Sequence, residues 1–288
     1  MIIKLKGADF AANNIGKITL PIKLNDYTKR AVASCGKDLT QEQQLALNDL
    51  FLAMGVDGSN DAMSVTRKLY IPMIAGDISK AMINYAEPNM TNDKPDLDSN
   101  VWTLRNNGLV AIGDGQPINL TLNNILTADN YSCFNLRTEP MITSKNTYKL
   151  VLRGKTNNTL FLGITEQTSS AGGTVFFNGN YGREWRLDAD GKLIGVDNSP
   201  YDNITTKFVN VKDNVFQLRN GEGITVGTPS PITSDMSGET TQTLYVKGLN
   251  TCDKNYAEAL LMIGESYDLE VAANIAEKID ALYEVMKL

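Results

Sequence analysis

Three charged residues at alternate positions come nearest in this chain to a catalytic arrangement. Glu184, Arg186 and Asp188 would share one face of a strand, and two acids across a sugar bond are what glycoside hydrolysis needs. An arginine between them keeps both acids ionised, whereas catalysis needs one of them protonated. The outer positions also lie about 13 Å apart on a regular strand, which is too long for either catalytic geometry. We therefore expect a surface ion-pair ladder, and no enzyme.

The composition removes most other catalytic mechanisms. The chain contains no histidine, which excludes Ser-His-Asp and Cys-His nucleophiles, histidine-based zinc sites and the usual general base near neutral pH. Its cysteines show no C-x-x-C spacing for zinc or a redox couple, and we expect buried, reduced thiols. They are Cys35, Cys133 and Cys252.

An acidic stretch raises the question of calcium. Asp96, Asp98 and Asn100 alternate like the opening of an EF-hand loop, but Val101 stands where that loop requires glycine. A looser calcium site that includes Asp93 stays open, and a solvated linker is the alternative. We expect no cofactor and no metal.

Aromatic and amide residues around one polar turn are the best indication of ligand binding. Sugars are commonly held by stacking on aromatic rings and by hydrogen bonds to amides. The alternative is that Phe176 and Trp185 are core residues of a sheet, whereas Tyr181 lies beside glycines that favour exposure. The candidate glycan-binding residues are Asn178, Asn180, Tyr181, Trp185 and Tyr201.

Charge and hydropathy limit the partners. The net charge of −6 comes without a concentrated basic face, so we expect no nucleic-acid binding. No apolar run approaches membrane-spanning length, and the opening MIIKLKGADF lacks the apolar core of a signal peptide. We therefore expect that the protein does not insert into a membrane. We also expect that it is synthesised in a cytosol.

Helical spacing dominates the chain up to about Ala75. Asp26 is predicted to cap a first helix that ends at Gly36. A capping box that opens at Thr40 predicts a second helix, with one apolar face. A third helix is predicted from Asp61 to about Tyr70.

Short alternating segments follow, separated by Gly, Asn or Asp. No helix-length segment lies between them, so the pattern predicts an antiparallel β-sandwich and excludes a parallel α/β fold. Residues 188–191 are predicted to join two strands in a hairpin. The predicted strands are 119–122, 132–136, 148–153, 159–164, 174–177, 184–187, 215–219 and 243–246.

Both ends of the chain are candidates for assembly. Ile3 and Leu5 alternate with lysines in an N-terminal β arm, which must pair with its own chain or with a neighbour. Near the C-terminus, Ile275, Ile279 and Leu282 follow a heptad-like spacing behind a predicted cap at residue 268. This helix either lies on its own sandwich or base, or forms a short coiled coil in an oligomer.

Four runs of the sequence resemble known proteins. The runs LTQEQQLALNDLFLAMG and RKLYIPMIAGDISKAMINY resemble a segment of tail, fibre and other virion proteins of bacteriophages and prophages. In that family a helical pair precedes a concanavalin A-like or laminin G-like domain. The run LLMIGESYDLEVAANIAEKIDALYEVM is similar to the closing strand and helix of such domains. The opening MIIKLKGADFAANNIG resembles an N-terminal arm on proteins of Bacteroidetes phages.

The resemblance implies a fold and a role. The fold would be a concanavalin A-like jelly-roll sandwich with an N-terminal helical base and a C-terminal helix. The role would be a head-fibre, tail-fibre or decoration subunit of a virion that contacts itself, as a trimer for example, other virion proteins and a host-surface glycan. A carbohydrate-binding module is the first alternative, and a glycoside hydrolase the second. The expected parts are an arm (1–24), a helical region (25–76), the sandwich (77–266) and the terminal helix (267–288).

Overall fold

A computed structural model describes most of the chain after the N-terminal arm. The arm residues Ile3 and Leu5 lie outside it. Among the residues described, no helix is long and apolar enough to cross a membrane. The described residues are 23–123, 126–127, 130–138, 147–154, 160–167, 173–178, 184–187, 193–194, 205–212, 215–220, 223–227, 239–248, 254 and 256–287.

The helices begin and end at residues that satisfy free backbone groups. Helix α1 (Asp26–Cys35) is capped by Asn25, whose side chain accepts from the Thr28 amide, and it ends at Gly36 with φ of 72°. The expected cap, Asp26, is instead the first helical residue. Helix α2 (Gln41–Ala53) has the predicted capping box between Thr40 and Gln43. The other helices are α3 (Ala62–Val65) and α4 (Leu269–Met286).

The predicted third helix is wrong over most of its length. Helix α3 ends at Val65, and strand β1 (Thr66–Tyr70) follows at once. Strand β1 pairs antiparallel with the strand at Ala257–Gly264, with Leu69 opposite Met262. Leu69 and Tyr70 are buried in that position. Pairing with a strand distant in sequence therefore overrides the local helical pattern.

The remaining strands confirm the predicted antiparallel β fold. Each strand pair in the described chain is antiparallel. This includes the pair formed by residues 184–187 and 193–194, which were predicted to form a hairpin. The strands are β2 (Trp102–Arg105), β3 (Gly108–Ala111), β4 (Ile118–Leu122), β5 (Tyr131–Thr138), β6 (Thr147–Gly154), β7 (Leu160–Gln167), β8 (Gly173–Asn178), β9 (Glu184–Leu187), β10 (Leu193–Ile194), β11 (Thr205–Lys212), β12 (Val215–Asn220), β13 (Gly223–Gly227), β14 (Gln242–Val246) and β15 (Ala257–Gly264).

These strands form two sheets. Sheet 1 has the order β13-β12-β11-β5-β15-β3-β2, and β1 also pairs with β15. Sheet 2 has the order β10-β9-β8-β7-β6-β14-β4. Side chains from both sheets meet in one apolar core, so the sheets pack face to face as a sandwich. This core includes Cys133 and Leu261 from sheet 1 and Leu120, Leu152 and Leu244 from sheet 2.

Burial reveals a third layer. Strands β5 and β15 are buried at every position, whereas β4 alternates between buried and exposed residues. The second face of sheet 1 is covered by helices, because Phe134 and Met262 share a core with Phe51 and Ile279. The order is therefore helices, sheet 1, sheet 2.

Close backbone contacts fix the helices to the loop that follows β1. The amide of Gly76 donates to the Cys35 carbonyl at 2.8 Å. A Cβ atom on Gly76 would lie 1.9 Å from the carbonyl oxygen of Gly36. Glycine is therefore required at position 76 because of space.

Gly76→Ala should lower the free energy of unfolding by about 3 kcal/mol, because the new methyl group must displace backbone atoms. Gly58→Ala is the control, since a Cβ there meets nothing within 4 Å and strains only a φ of +84°. That control should cost about 1 kcal/mol. Urea denaturation measures both, and equal losses would contradict the close contact.

Candidate functional site

Two of the predicted glycan-binding residues, Asn178 and Trp185, lie on the neighbouring strands β8 and β9. Trp185 on β9 pairs with Phe176 on β8, and Glu184 pairs with Phe177. Asn178 is the last residue of β8. The structure therefore brings the backbones of β8 and β9 together in sheet 2. Asn180, Tyr181 and Tyr201 lie outside the described residues.

The acidic triplet lies partly on the same hairpin. Glu184 and Arg186 belong to β9, and Arg186 pairs with Ile194 of β10. Asp188 lies outside the described residues. Glu184 and Arg186 therefore lie on a strand, as their alternation predicts. The ion-pair ladder along this strand stays a prediction.

The loop with the calcium candidates is held by a network of polar contacts. Asp93 accepts a hydrogen bond from Lys68 at 2.8 Å and another from the Tyr70 hydroxyl. Asn84 accepts from the Leu69 amide at 3.0 Å and donates to the Glu87 carboxylate at 3.0 Å. The Asp93 carboxylate thus binds a lysine and a tyrosine of β1. These contacts attach the loop that contains Asp93 to β1.

Asp98 serves its own loop. Its carboxylate accepts from the backbone amide and the side-chain amide of Asn100, both at 2.9 Å. This is a local turn of the kind that aspartate favours. Within the described ranges, no group of three or more acidic or cysteine side chains gathers as metal ligands.

The heptad-like residues of α4 face inward. Ile275, Ile279 and Leu282 are completely buried in the core between the helices and sheet 1. This differs from an exposed assembly seam, because contacts within the chain already occupy these side chains. It agrees with the alternative that the helix lies on its own protein. An assembly role for them would require α4 to leave this core.

Polar contacts fix the start of α4. Asn210 of β11 donates to the Tyr267 carbonyl and accepts from the Tyr267 amide, both at 2.9 Å. Asp268 stands at the predicted cap position, but its carboxylate pairs with Lys212 and caps no amide. The helix is therefore attached to sheet 1 from its first turn.

Two cysteines lie in the two cores. Cys35 and Cys133 are buried and free, as the sequence predicts, and Cys252 lies outside the described residues. Burial raises the pKa of both thiols, which makes them poor nucleophiles at neutral pH.

An interior polar cluster lies between the two sheets. We use this name for Asn135, Arg137, Lys247, Tyr256 and Glu258, each at most 2% exposed. Asn135 and Arg137 lie on β5 and Glu258 on β15, while Lys247 follows the last residue of β14. Glu258 pairs in register with Arg137. The cluster therefore joins the two sheets where the chain crosses from β14 to β15.

Its contacts are short and charged. The Asn135 side-chain amide donates to Glu258 Oε1 at 2.5 Å. Lys247 Nζ lies 3.6 Å from the centre of the Tyr256 ring and donates to the Tyr256 carbonyl. The Arg137 guanidinium lies 5.7 Å from the same ring centre. Two cations thus lie close to the Tyr256 ring, a favourable arrangement for an aromatic ring.

Burial dominates the electrostatics of Glu258. Desolvation raises its pKa to about 7, although the Asn135 hydrogen bond and the charges of Arg137 and Lys247 act in the opposite direction. A carboxyl group of this kind is a feature of functional sites. Sequence reasoning missed it, because Asn135 and Arg137 alternate with apolar residues as a wet face would. The available signal was Glu258 itself, a lone acid inside the apolar run AEALLMIG.

Neither the family models nor the curated proteins contain a match to this sequence. Domain 4 of AbnA, a GH43 arabinanase from Geobacillus stearothermophilus solved with arabinotriose, matches at a TM-score of 0.45 and 16% identity, over 73% of this chain and 98% of that domain.

Two further solved structures are similar over less of their length. A Trypanosoma rangeli sialidase mutant with trans-sialidase activity matches at 0.44 and 9% identity, over 63% of this chain but only 29% of the sialidase. The CBM2 module of the evolved Dit of Lactobacillus casei BL23 phage J-1 matches at 0.32 and 9% identity, over 52% of this chain and 69% of the module. At these values, the similarities assign neither a family nor a function.

The burial of α4 gives a direct prediction. Ile279→Ala should lower the free energy of unfolding by about 2–5 kcal/mol, because it leaves a cavity in the core shared with α2. The oligomeric state should stay the same, as measured by light scattering. Glu277→Ala, on the exposed side of α4, should change the stability by about 0.5 kcal/mol or less. Dissociation by Ile279→Ala at unchanged stability would instead identify an assembly seam.

Proposed function

We propose that this protein is a non-catalytic structural appendage of a bacteriophage virion, a head-fibre, tail-fibre or decoration subunit whose sandwich attaches to a host-surface glycan. The virion role is supported by the resemblance of the segments 39–55, 67–85 and 260–286 to virion proteins. The glycan is supported by the aromatic and amide residues on and beside β8 and β9.

One observation carries the proposal: the resembling segments, far apart in sequence, fold as one unit. Strand β1 pairs with β15, and α2 packs against α4. The Gln43 side chain donates to the Val285 carbonyl at 3.2 Å, across 242 positions of the chain. Residues of all these elements share the core beneath sheet 1. Resembling segments that pack together in one unit are what a common base would produce.

The order of the layers supports separate roles for the helical layer and for sheet 2. The helices cover the outer face of sheet 1, while the candidate strands β8 and β9 belong to sheet 2. In β4 of sheet 2, Asn119 and Thr121 point to solvent between buried neighbours. On β4, sheet 2 therefore has a face available for display, and the helical layer is the base.

Glycan binding is testable on the purified chain. On an array of bacterial surface polysaccharides, we expect a ligand whose affinity falls about tenfold in Trp185→Ala, since an aromatic contact contributes about 1 kcal/mol or more. Tyr181→Ala should weaken binding similarly. Leu45→Ala, an exposed residue of α2 in the base, is the control and should bind normally.

Two outcomes would contradict the binding role. The first is an array without any ligand for the folded protein. The second is normal ligand binding by both Trp185→Ala and Tyr181→Ala. Thermal unfolding of each variant identifies a core role for Trp185, because the melting temperature would then fall together with the affinity.

A further inference from the structure

We propose that Glu258 and Asn135 form a proton-dependent latch between β15 and β5, two neighbouring strands of sheet 1. In the protonated state, the Glu258 acid and the Asn135 amide are joined by two hydrogen bonds, as in a carboxylic acid–amide pair. Ionisation of Glu258 removes one of these bonds and weakens the side-chain link between β5 and β15 at the centre of sheet 1.

The hydrogen bonding indicates the missing proton. One bond is already present, from Asn135 Nδ2 to Glu258 Oε1 at 2.5 Å. The remaining polar atom of each side chain, Asn135 Oδ1 and Glu258 Oε2, is buried and has no hydrogen-bond partner among the described residues. Both oxygens are acceptors when Glu258 is ionised, and two buried acceptors without a donor are costly. A proton on Oε2 makes it a donor to Oδ1 and satisfies both atoms.

The groups around Glu258 determine the balance between its protonated and ionised forms. From β5, the Arg137 guanidinium and the Cys133 thiol act on it electrostatically, and from the end of β14 the Lys247 ammonium does so. On β3 the residue opposite Glu258 is apolar Leu109. The two cations favour the ionised acid, whereas complete burial favours the neutral acid. Burial has the larger effect, so the pKa of Glu258 is raised to about 7.

The amino-acid composition gives this latch particular importance for the response of the protein to pH. Histidine is the residue that usually titrates near neutral pH, and the chain has none. Among the described residues, Glu258 is a carboxyl group whose pKa is raised to about 7, so its titration should contribute to a change in stability between about pH 5.5 and about pH 8. The latch would give a histidine-free protein a pH response in the neutral range.

The sign follows from proton linkage. The pKa of Glu258 is raised in the folded state, from 4.5 to about 7, so the folded protein binds the proton more tightly than the unfolded chain. The stabilisation is fully present below about pH 4.5 and is lost as the pH rises through about 7. From about pH 5.5 to about pH 8, the folding equilibrium constant should fall about 30-fold.

Equilibrium urea denaturation across this pH range tests the latch. Wild-type protein should show the fall, whereas Glu258→Gln should show a nearly flat profile, because the glutamine amide donates to Asn135 Oδ1 at every pH. Glu277→Gln, on the surface of α4, is the matched control and should keep the wild-type profile. A flat wild-type profile, or the same slope in Glu258→Gln, would overturn the proposal.

A measurement on the wild-type chain covers the case in which Glu258→Gln does not fold. In protein labelled with ¹³C at the glutamate carboxyl carbon, one glutamate resonance should titrate with a midpoint near 7. The Asn135 side-chain amide signals should shift with the same midpoint. Titration of every glutamate resonance in the ordinary acidic range would overturn the proposal.

Discussion

The fold depends on covering both faces of one sheet. Strands β5 and β15 lie at the centre of sheet 1 and are buried at every position, so each must be matched by apolar side chains from two directions. Sheet 2 supplies one cover and the helices supply the other. Burial of this extent is the main source of stability in a domain of this size.

This constraint explains why the chain begins and ends its described part with helices. The N-terminal helices α1 and α2 and the C-terminal helix α4 cover sheet 1 together, since all three contribute to one core. The inward stripe of α4 is therefore used within the protein. Assembly of the proposed virion appendage would then depend on the N-terminal arm or on other surfaces, and sheet 2 would be free for a ligand.

Much of the secondary structure could be predicted from local patterns. The capping box at Thr40 is visible in sequence, because its chemistry involves residues three positions apart. The predicted strands, such as 184–187 and 243–246, match the structure closely, because alternation and turn residues are also local signals. The segment after Val65 was wrong as a helix, since its strand is created by pairing with β15, which lies almost 200 positions away.

The candidate sites show the same limit more sharply. Nothing local separates a polar residue on a wet face from Asn135 or Arg137 inside a sandwich, because their burial depends on how the sheets stack. Likewise, the 3-4 spacing of Ile275, Ile279 and Leu282 fits either a seam between chains or a core. The stacking of layers decides both questions, and stacking is a property of the whole chain.

The proposed role makes this protein a built-in part of a virion. Mass spectrometry of virus particles purified from cells that encode this sequence tests it most directly. The account predicts peptides from the full length of the chain in the particles, in amounts comparable to other minor structural proteins. Abundant protein in the cell lysate together with its absence from the particles would contradict the account.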